Sequence, residues 1–193
     1  STYMTGYEDK TFKPDGKVTR AELCTLASRL SGKFDENGIY TSNFTDVKQN
    51  EWYSNYVGFC AEQEIVSGYE DGSFKPGDYV TRAEFAAIVC RLYGFEYSDS
   101  QNYFPDTQSH WAKQYINALY KENATDVQKG QSFRPDQKIT RLEAVIILNA
   151  AQKRAPDKNA IDEYIRQNGI PFGDVAKPDD SFYQIFEAAV QYK

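Results

Sequence analysis

Apolar residues recur at helical spacing in three long runs of this chain, and each run opens with nearly the same residues. Positions three and four apart lie on one face of an α-helix, so each run predicts a helix with a buried face. The opening pattern Thr-Arg-Ala/Leu-Glu has the spacing of a capping box, in which the Thr and Glu side chains each bind the other residue's backbone N–H. The predicted helix N-caps are Thr19, Thr81 and Thr140.

A second kind of amphipathic run carries Trp near its start. Trp52, Tyr56, Phe59 and Cys60 fall on one helical face, and Trp111 opens a matching run. Polar residues just before these runs mark the predicted helix starts. The predicted N-caps are Asn50 and Ser109.

The two kinds of helix alternate with Phe-x-Asp turns and with tight turns that end in Phe-Lys/Arg-Pro, so the chain consists of repeated units. The first unit lacks its Phe-x-Asp half, and a matching half occurs at the C-terminus. We therefore predict one all-α domain over 1–193 with a pseudo-threefold axis, in which the C-terminal helix packs beside the helix at 18–30 and closes a ring. The predicted units are 1–43 completed by 170–193, then 44–103, then 104–169.

An Arg occupies the first helical position of each capping box, where the helix dipole disfavours a cation by roughly 0.3–1 kcal/mol. Arg beside free backbone N–H groups makes a good anion site, above all for a planar carboxylate that accepts two hydrogen bonds. A single such Arg is explained by an aromatic neighbour or a carboxylate partner. Repetition in all three units favours an anion site in at least one. The residues are Arg20, Arg82 and Arg141.

Composition narrows the class of ligand. A net charge of −6 and a pI near 4.9 argue against nucleic-acid binding, so an anion would be bound by a local cluster of cations. No apolar stretch is long enough to span a membrane. The 15 Tyr residues suit sugars and other polar ligands, although half-buried packing explains most of them. Cys24, Cys60 and Cys90 lie in apolar helical runs and are predicted to be buried free thiols.

The order of these motifs, Phe-x-Asp-Val, Trp, Gly-Tyr-x-Asp-Gly-x-Phe-x-Pro and Thr-Arg-Ala-Glu, resembles the S-layer homology (SLH) domain, most fully at 44–92. The resemblance covers nearly the whole chain apart from its linkers. It implies three repeats in a pseudo-threefold prism around a central three-helix bundle. It also implies an exported protein at the bacterial cell wall or S-layer, held non-covalently by a secondary cell-wall polysaccharide, often pyruvylated, and joined to a cargo domain of the same polypeptide. A peptidoglycan-linked glycan is a further partner that it suggests.

The resemblance also implies roles for individual residues, in grooves between neighbouring units. The three arginines would bind the carboxylate of a pyruvate ketal, and Trp52 and Trp111 would line the groove walls. Gly6 and Gly68 would let the ligand approach the backbone closely. A set of aspartates would accept sugar hydroxyls, and the alternative is that each caps the turn before the following helix. These aspartates are Asp46, Asp106 and Asp174.

The third unit departs from this pattern. Its turn has Val127-Gln128 where the other two have Gly-Tyr, and the C-terminal tail has Phe182 or Tyr183 in place of a Trp. We therefore expect unequal use of the grooves, with those that contain Arg20 and Arg82 preferred over the one that contains Arg141.

Other classes of function fit less well. A glycosidase would need paired acids in an apolar neighbourhood, and the only His, His110, is predicted to be a surface residue near a helix cap. The stretch Glu70-Asp71-Gly72-Ser73 lacks the alternating ligands of a calcium loop and reads as a tight turn. We predict no enzymatic activity, no cofactor and no metal. The main alternative is a protein–protein assembly module of a surface layer with little polymer binding.

Overall fold

The fold is all-α, as predicted. The computed structural model describes residues 2–97, 100–176 and 179–192, and within these ranges the β-structure is limited to three isolated bridges. A short 3-10 turn lies at Pro105–Thr107. The helices are α1 (Arg20–Ser31), α2 (Ser54–Glu62), α3 (Arg82–Tyr93), α4 (Lys113–Lys121), α5 (Arg141–Ala151), α6 (Lys158–Asn168) and α7 (Asp180–Ala189).

The three capping boxes are confirmed. In α1, the Glu22 N–H donates to the Thr19 hydroxyl at 3.2 Å, and the Thr19 N–H donates to the Glu22 carboxylate at 2.8 Å. The same reciprocal bonds begin α3 at Thr81 and α5 at Thr140. Local hydrogen bonding therefore fixes where each of these helices starts.

Backbone hydrogen bonds join the starts of α1, α3 and α5 in a closed cycle. The first N–H of each helix donates to a carbonyl in the turn before another of the three helices. The donor and acceptor pairs are Arg20 to Asp78, Arg82 to Gln137 and Arg141 to Gly16. α3 also packs against both α1 and α5. The prism around a central bundle, which the sequence resemblance implies, stays a prediction.

The C-terminal helix packs against α5, so the prediction that it lies beside the helix at 18–30 is wrong. α2 packs on α1, α4 on α3 and α7 on α5. In each pair, a buried polar side chain at the same position of α1, α3 or α5 donates to a backbone carbonyl of the helix packed on it. These bonds run from Ser28 to the Tyr56 carbonyl, from Cys90 to the Tyr115 carbonyl and from Asn149 to the Gln184 carbonyl.

The segment before α7, in contrast, contacts the first turn of the chain. The Gly173 N–H donates to the Lys10 carbonyl at 2.8 Å, and the Phe172 ring packs on Phe12 with 5.5 Å between centroids. The two ends of the chain also meet where the Tyr3 N–H donates to the Ala188 carbonyl at 3.0 Å. The C-terminal residues therefore contact both the first turn and α5.

Asn50 and Ser109 do not cap α2 and α4, so these predicted helix starts are wrong. The N-cap residues are Tyr53 and Ala112, and neither makes a side-chain capping bond. A turn occupies the preceding residues: the Ser54 hydroxyl donates to the Glu51 carbonyl at 2.8 Å. His110 likewise holds the turn before α4, since its Nδ1 accepts the Ala112 N–H. Both tryptophans consequently lie in turns ahead of their helices.

The cysteines and α6 follow the predictions. All three cysteines are buried and free, and burial raises the pKa of the Cys90 thiol to about 12. α6 covers the short helical pattern of the last linker, and Ile161 is its fully buried residue.

Candidate binding grooves

Two surface grooves are built from corresponding residues of the repeat. The first has a volume of about 240 Å³ and the second about 210 Å³. Each lies between a Gly-Tyr turn, a capping-box helix and a Trp from the next turn along the chain. The first groove is lined by Thr5, Gly6, Tyr7, Glu22, Arg29, Trp52 and Arg141. The second groove is lined by Ser67, Gly68, Tyr69, Glu84, Arg91, Trp111 and Arg20.

Arg141 and Arg20 line these grooves as buried residues. Arg141 donates from Nε to the Phe12 carbonyl at 2.8 Å and from Nη2 to the Thr5 carbonyl at 2.6 Å. Arg20 repeats this pattern with the carbonyls of Phe74 and Ser67, at 2.7 and 2.9 Å. A guanidinium has five donors, so each Arg keeps others for a ligand.

Aromatic rings hold both guanidinium groups in place. The Arg141 group lies 4.5 Å from the Phe12 ring centroid and 4.8 Å from that of Tyr7. Arg20 lies 4.4 Å from Phe74 and 5.0 Å from Tyr69. Such cation–π contacts orient a cation without neutralising its charge. The ordinary explanation of an aromatic neighbour is therefore correct for these arginines, and it leaves their charge available to a ligand.

Neither guanidinium forms an ion pair with a carboxylate of the described residues. Burial lowers the pKa of Arg141 below its ordinary value, although nearby Tyr7 and Glu22 act in the opposite direction. A buried cation without a close counter-ion is costly, because desolvation is not repaid by pairing. An anion in the groove would repay that cost.

The two tryptophans line the outer parts of the grooves. Trp52 is 61% exposed and Trp111 is 59% exposed, which is far more than a Trp held in a core. Each ring is therefore open to solvent and lines the same groove as a buried arginine. A flat apolar face next to polar donors is the combination that a sugar ring with an acidic substituent requires.

A second arginine lines each groove, and the sequence reasoning missed it. Arg29 and Arg91 lie in the last turns of α1 and α3, nine positions after the first Arg of each helix. The corresponding residue of α5 is Ala150. Alignment of the three repeats contains this signal. Each groove therefore has two arginines and one glutamate, a local excess of positive charge on a chain of net charge −6.

Arg82 is placed differently and lines neither groove. It is 0% exposed, against 7% for Arg141 and 8% for Arg20. Its Nε donates to the Phe133 carbonyl at 2.7 Å, as in the other repeats. Both of its Nη atoms then donate to the Asp126 carboxylate at 2.7 Å, and Glu143 lies at 3.2 Å. The expectation that the Arg82 groove is used in preference to that of Arg141 does not fit this placement.

The third groove differs from the other two in further features. Its volume is larger, about 540 Å³, and its lining residues include Asp126, Val127 and Lys129. The Gln184 carbonyl corresponds to those of Tyr56 and Tyr115, so the Trp position in the third groove belongs to Asp180. Phe182 does not replace the Trp, because it is buried in the core with 1% exposure.

Gly6 and Gly68 line the grooves, and the structure gives them a packing role. A Cβ on Gly6 would lie 2.5 Å from the Phe172 ring, and one on Gly68 would lie 2.4 Å from the Phe44 ring. These glycines therefore admit the Phe of the Phe-x-Asp motif. Close approach of a ligand to their backbone stays a prediction.

The aspartates of the Phe-x-Asp motifs line neither groove, and each holds a turn. Both carboxylate oxygens of Asp46 accept backbone N–H groups, from Phe74 at 2.7 Å and Lys75 at 2.8 Å. Asp106 binds the third turn and Asp174 the first turn in the same way. This supports the turn-capping alternative. The turn that each Asp holds is, however, a Phe-Lys/Arg-Pro turn far away in the sequence, and not the start of the helix that follows the Asp.

Acid is expected to weaken the third repeat through Glu143. Burial alone would raise the pKa of Glu143, but the Thr140 N–H and the guanidinium groups of Arg82 and Arg134 outweigh it, so the pKa lies below its ordinary value. A lowered folded-state pKa contributes stability that is present above the unfolded value and is lost as the pH falls through the folded value. Glu143→Gln should therefore reduce the loss of unfolding free energy between pH 6 and pH 3. Urea unfolding of the wild type and of Glu143→Gln at pH 6 and pH 3 measures this loss. An equal loss of unfolding free energy in the two proteins would contradict the role of Glu143.

Within the described residues, no helix combines the length and apolar character that a bilayer crossing requires, and no cluster of three or more metal-ligating side chains occurs.

Comparison with known families matches the S-layer homology domain at residues 3–24, 43–86 and 103–145. The matches coincide with the three capping boxes and the turns that precede them. They cover more than half of the chain.

Individual relatives agree with this family. The chain is 31% identical over 170 residues to the cellulosome-anchoring protein of Acetivibrio thermocellus, covering 84% of this chain and 38% of that protein. It is 29% identical over 204 residues to cell surface glycoprotein 1 of the same organism, covering 98% of this chain and 8% of that protein. It is 36% identical over 97 residues to the middle cell wall protein of Brevibacillus brevis, covering 48% of this chain and 9% of that protein.

The chain thus spans well under half the length of these relatives. The agreement extends over three repeats, each with its capping box and its Phe-Lys/Arg-Pro turn, and the predicted resemblance is confirmed. The chain belongs to the S-layer homology domain family.

Proposed function

We propose that this chain anchors an exported protein at the bacterial cell surface by binding an acidic cell-wall glycan in the first and second grooves. Anchoring at the cell surface in general is supported by the SLH family and by relatives named for anchoring and for the cell surface. The observation that carries the finer proposal is the repeated occurrence, in one groove, of an exposed Trp and a buried Arg that forms no direct ion pair within the described residues.

The proposed ligand is the end of a secondary cell-wall polysaccharide whose last sugar carries a carboxylate, as in a pyruvate ketal. The carboxylate would accept hydrogen bonds from Arg141 or Arg20, and the sugar ring would lie against Trp52 or Trp111. The volumes of 240 and 210 Å³ are below the roughly 300–1,000 Å³ of pockets that enclose drug-sized ligands. Each groove therefore suits one terminal sugar better than a long stretch of polymer.

Two grooves on one chain strengthen attachment to a polymer-covered wall. Once one glycan end is bound, the second groove meets further ends at a high effective concentration, so the retention exceeds that of either groove alone. The cargo would be another part of the same polypeptide, outside this domain. A peptidoglycan-linked glycan would reach the grooves in the same way. This role requires no catalytic group, in keeping with a domain family of anchors.

The Trp residues provide a test of the proposed contact with the sugar. Trp52→Ala and Trp111→Ala should each weaken binding to purified wall polysaccharide about 5- to 30-fold, because burial of the ring face against a sugar is worth roughly 1–2 kcal/mol. The rings are mostly exposed, so the midpoint of thermal unfolding should barely change. Calorimetric titration measures the affinity. Tyr97→Ala removes a comparably exposed ring outside both grooves and serves as the control.

A protein–protein assembly role is the second candidate, and the third groove favours it. That opening has the largest volume of the three grooves and lacks the Trp and the second Arg of the other two. Binding to purified polysaccharide in the absence of other proteins separates the candidates. Retention on the polymer supports anchoring, and its absence together with self-association or capture of another surface protein supports assembly.

A further inference from the structure

In the third repeat, a carboxylate faces the arginine that the second repeat contributes to the third groove, Arg82. Asp126 occupies the position that Thr5 and Ser67 hold in the other repeats. In those repeats the backbone carbonyl at this position accepts from the Arg, whereas in the third repeat the Asp126 side chain accepts from both Nη atoms. The Asp126 side chain is 5% exposed, so the pair is closed to solvent.

We propose that Asp126 is an internal substitute for the ligand carboxylate, and that it keeps the third groove from binding acidic glycan. This inference rests on the proposed function of the first two grooves. The Nε of all three arginines donates to a Phe carbonyl, at 2.7, 2.7 and 2.8 Å, so the three guanidinium groups are anchored alike. What differs is the group in front of each guanidinium: a carboxylate for Arg82 and open groove for Arg20 and Arg141.

The pair also indicates the pose of a ligand carboxylate in the open grooves. Two parallel hydrogen bonds of 2.7 Å from Nη1 and Nη2 are the bidentate geometry that guanidinium and carboxylate groups prefer. Arg20 and Arg141 would direct the same edge toward their grooves after a small shift of the Nη2 bond to the turn carbonyl. Asp126 thus sets which grooves accept an acidic glycan.

The residue that Asp126 replaces suggests the variant to make. Asp126→Ser installs the Ser67 residue of the second repeat and removes the internal carboxylate. We expect this variant to bind a carboxylate at Arg82. The affinity should be about 10-fold or more below that of the other grooves, because Ala150 and Asp180 replace the second Arg and the Trp.

The side-chain N–H signals of the arginines provide a separate readout for each groove. The three Nε–H groups are buried and hydrogen-bonded, which slows their exchange with water and makes them observable by NMR. The probe is a synthetic methyl hexoside that carries one pyruvate ketal, and its uncharged methyl ester is the control. In the wild type, the signals of Arg20 and Arg141 should shift with the acid and not with the ester, while Arg82 should not respond. In Asp126→Ser, Arg82 should respond as well.

Each other outcome has a distinct meaning. A wild-type Arg82 that shifts together with the other two would overturn the inference, since Asp126 would not exclude the ligand. An unresponsive Arg82 in folded Asp126→Ser, with Arg20 and Arg141 still responding, would overturn it too. No response of Arg20 and Arg141 in the wild type would instead reject the proposed function. Should Asp126→Ser fail to fold, Asp126→Asn removes the charge at unchanged size. The Arg82 signal must then respond to the acidic probe in Asp126→Asn.

Discussion

Arg82→Ala is expected to lower the free energy of unfolding by about 3–5 kcal/mol, the usual cost of removing one partner of a buried ion pair. The variant leaves the Asp126 carboxylate almost buried without its two hydrogen bonds, and it removes one of the two arginines that pair with Glu143. Burial lowers the pKa of Arg82, but pairing with Asp126 and Glu143 outweighs this and raises the pKa above its ordinary value, so the cation contributes stability at all ordinary pH values. Urea unfolding followed by circular dichroism measures the loss.

A double variant separates pairing from packing. Arg82→Met with Asp126→Leu removes both charges and keeps apolar volume, which often costs little or even stabilises a protein. We expect it to recover most of the stability lost in Arg82→Ala. A stability of Arg82→Ala within about 1 kcal/mol of the wild type would contradict the importance of the pair. The helix dipole alone would give a different expectation. It disfavours a cation at a helix start, so by that effect alone removal of Arg82 would not reduce stability.

Arg20→Ala and Arg141→Ala are expected to act on binding. Loss of a buried Arg–carboxylate contact costs roughly 2 kcal/mol or more, so each variant should bind purified cell-wall sacculi about 30-fold more weakly or worse. The double variant should lose retention altogether, because neither groove could hold a glycan end. Co-sedimentation over a range of sacculus concentrations gives the affinities.

The same variants should be less destabilising than Arg82→Ala. Each loses two hydrogen bonds to carbonyls, at about 0.5–1.5 kcal/mol each, but leaves no acid unpaired. Arg166→Ala is a matched control, since it removes one positive charge from the exposed α6, away from both grooves. Undiminished retention of folded Arg20→Ala/Arg141→Ala would rule out these arginines as the glycan contact.

Features encoded by local hydrogen bonding could be predicted from the sequence. Thr19, Thr81 and Thr140 start their helices because a capping box needs only four consecutive residues. The starts of α2 and α4 were predicted too early, because the turn that ends at Ser54 competes with the helix for the same residues. That error also placed Trp52 on the helix, whereas the turn directs it to the groove.

Features that depend on distant parts of the chain were harder to predict. Asp126 looks like an ordinary polar turn residue, and only the fold brings it to Arg82. The packing of α7 on α5 includes a buried bond between Asn149 and Gln184, and helical spacing alone does not specify the partner helix. Arg29 and Arg91 could have been predicted from the sequence, because they occupy the same position in two repeats. The third repeat has Ala150 at that position.

Binding of an acidic glycan in two grooves, through Arg20 and Arg141, is the basis of the proposed function. Its most direct test is calorimetric titration of the chain with wall polysaccharide, before and after mild acid removal of the pyruvate ketals. We expect two glycan ends to bind per chain and binding to be lost once the ketals are removed. Binding of equal strength to the deketalised polymer, or no binding to either form, would contradict it.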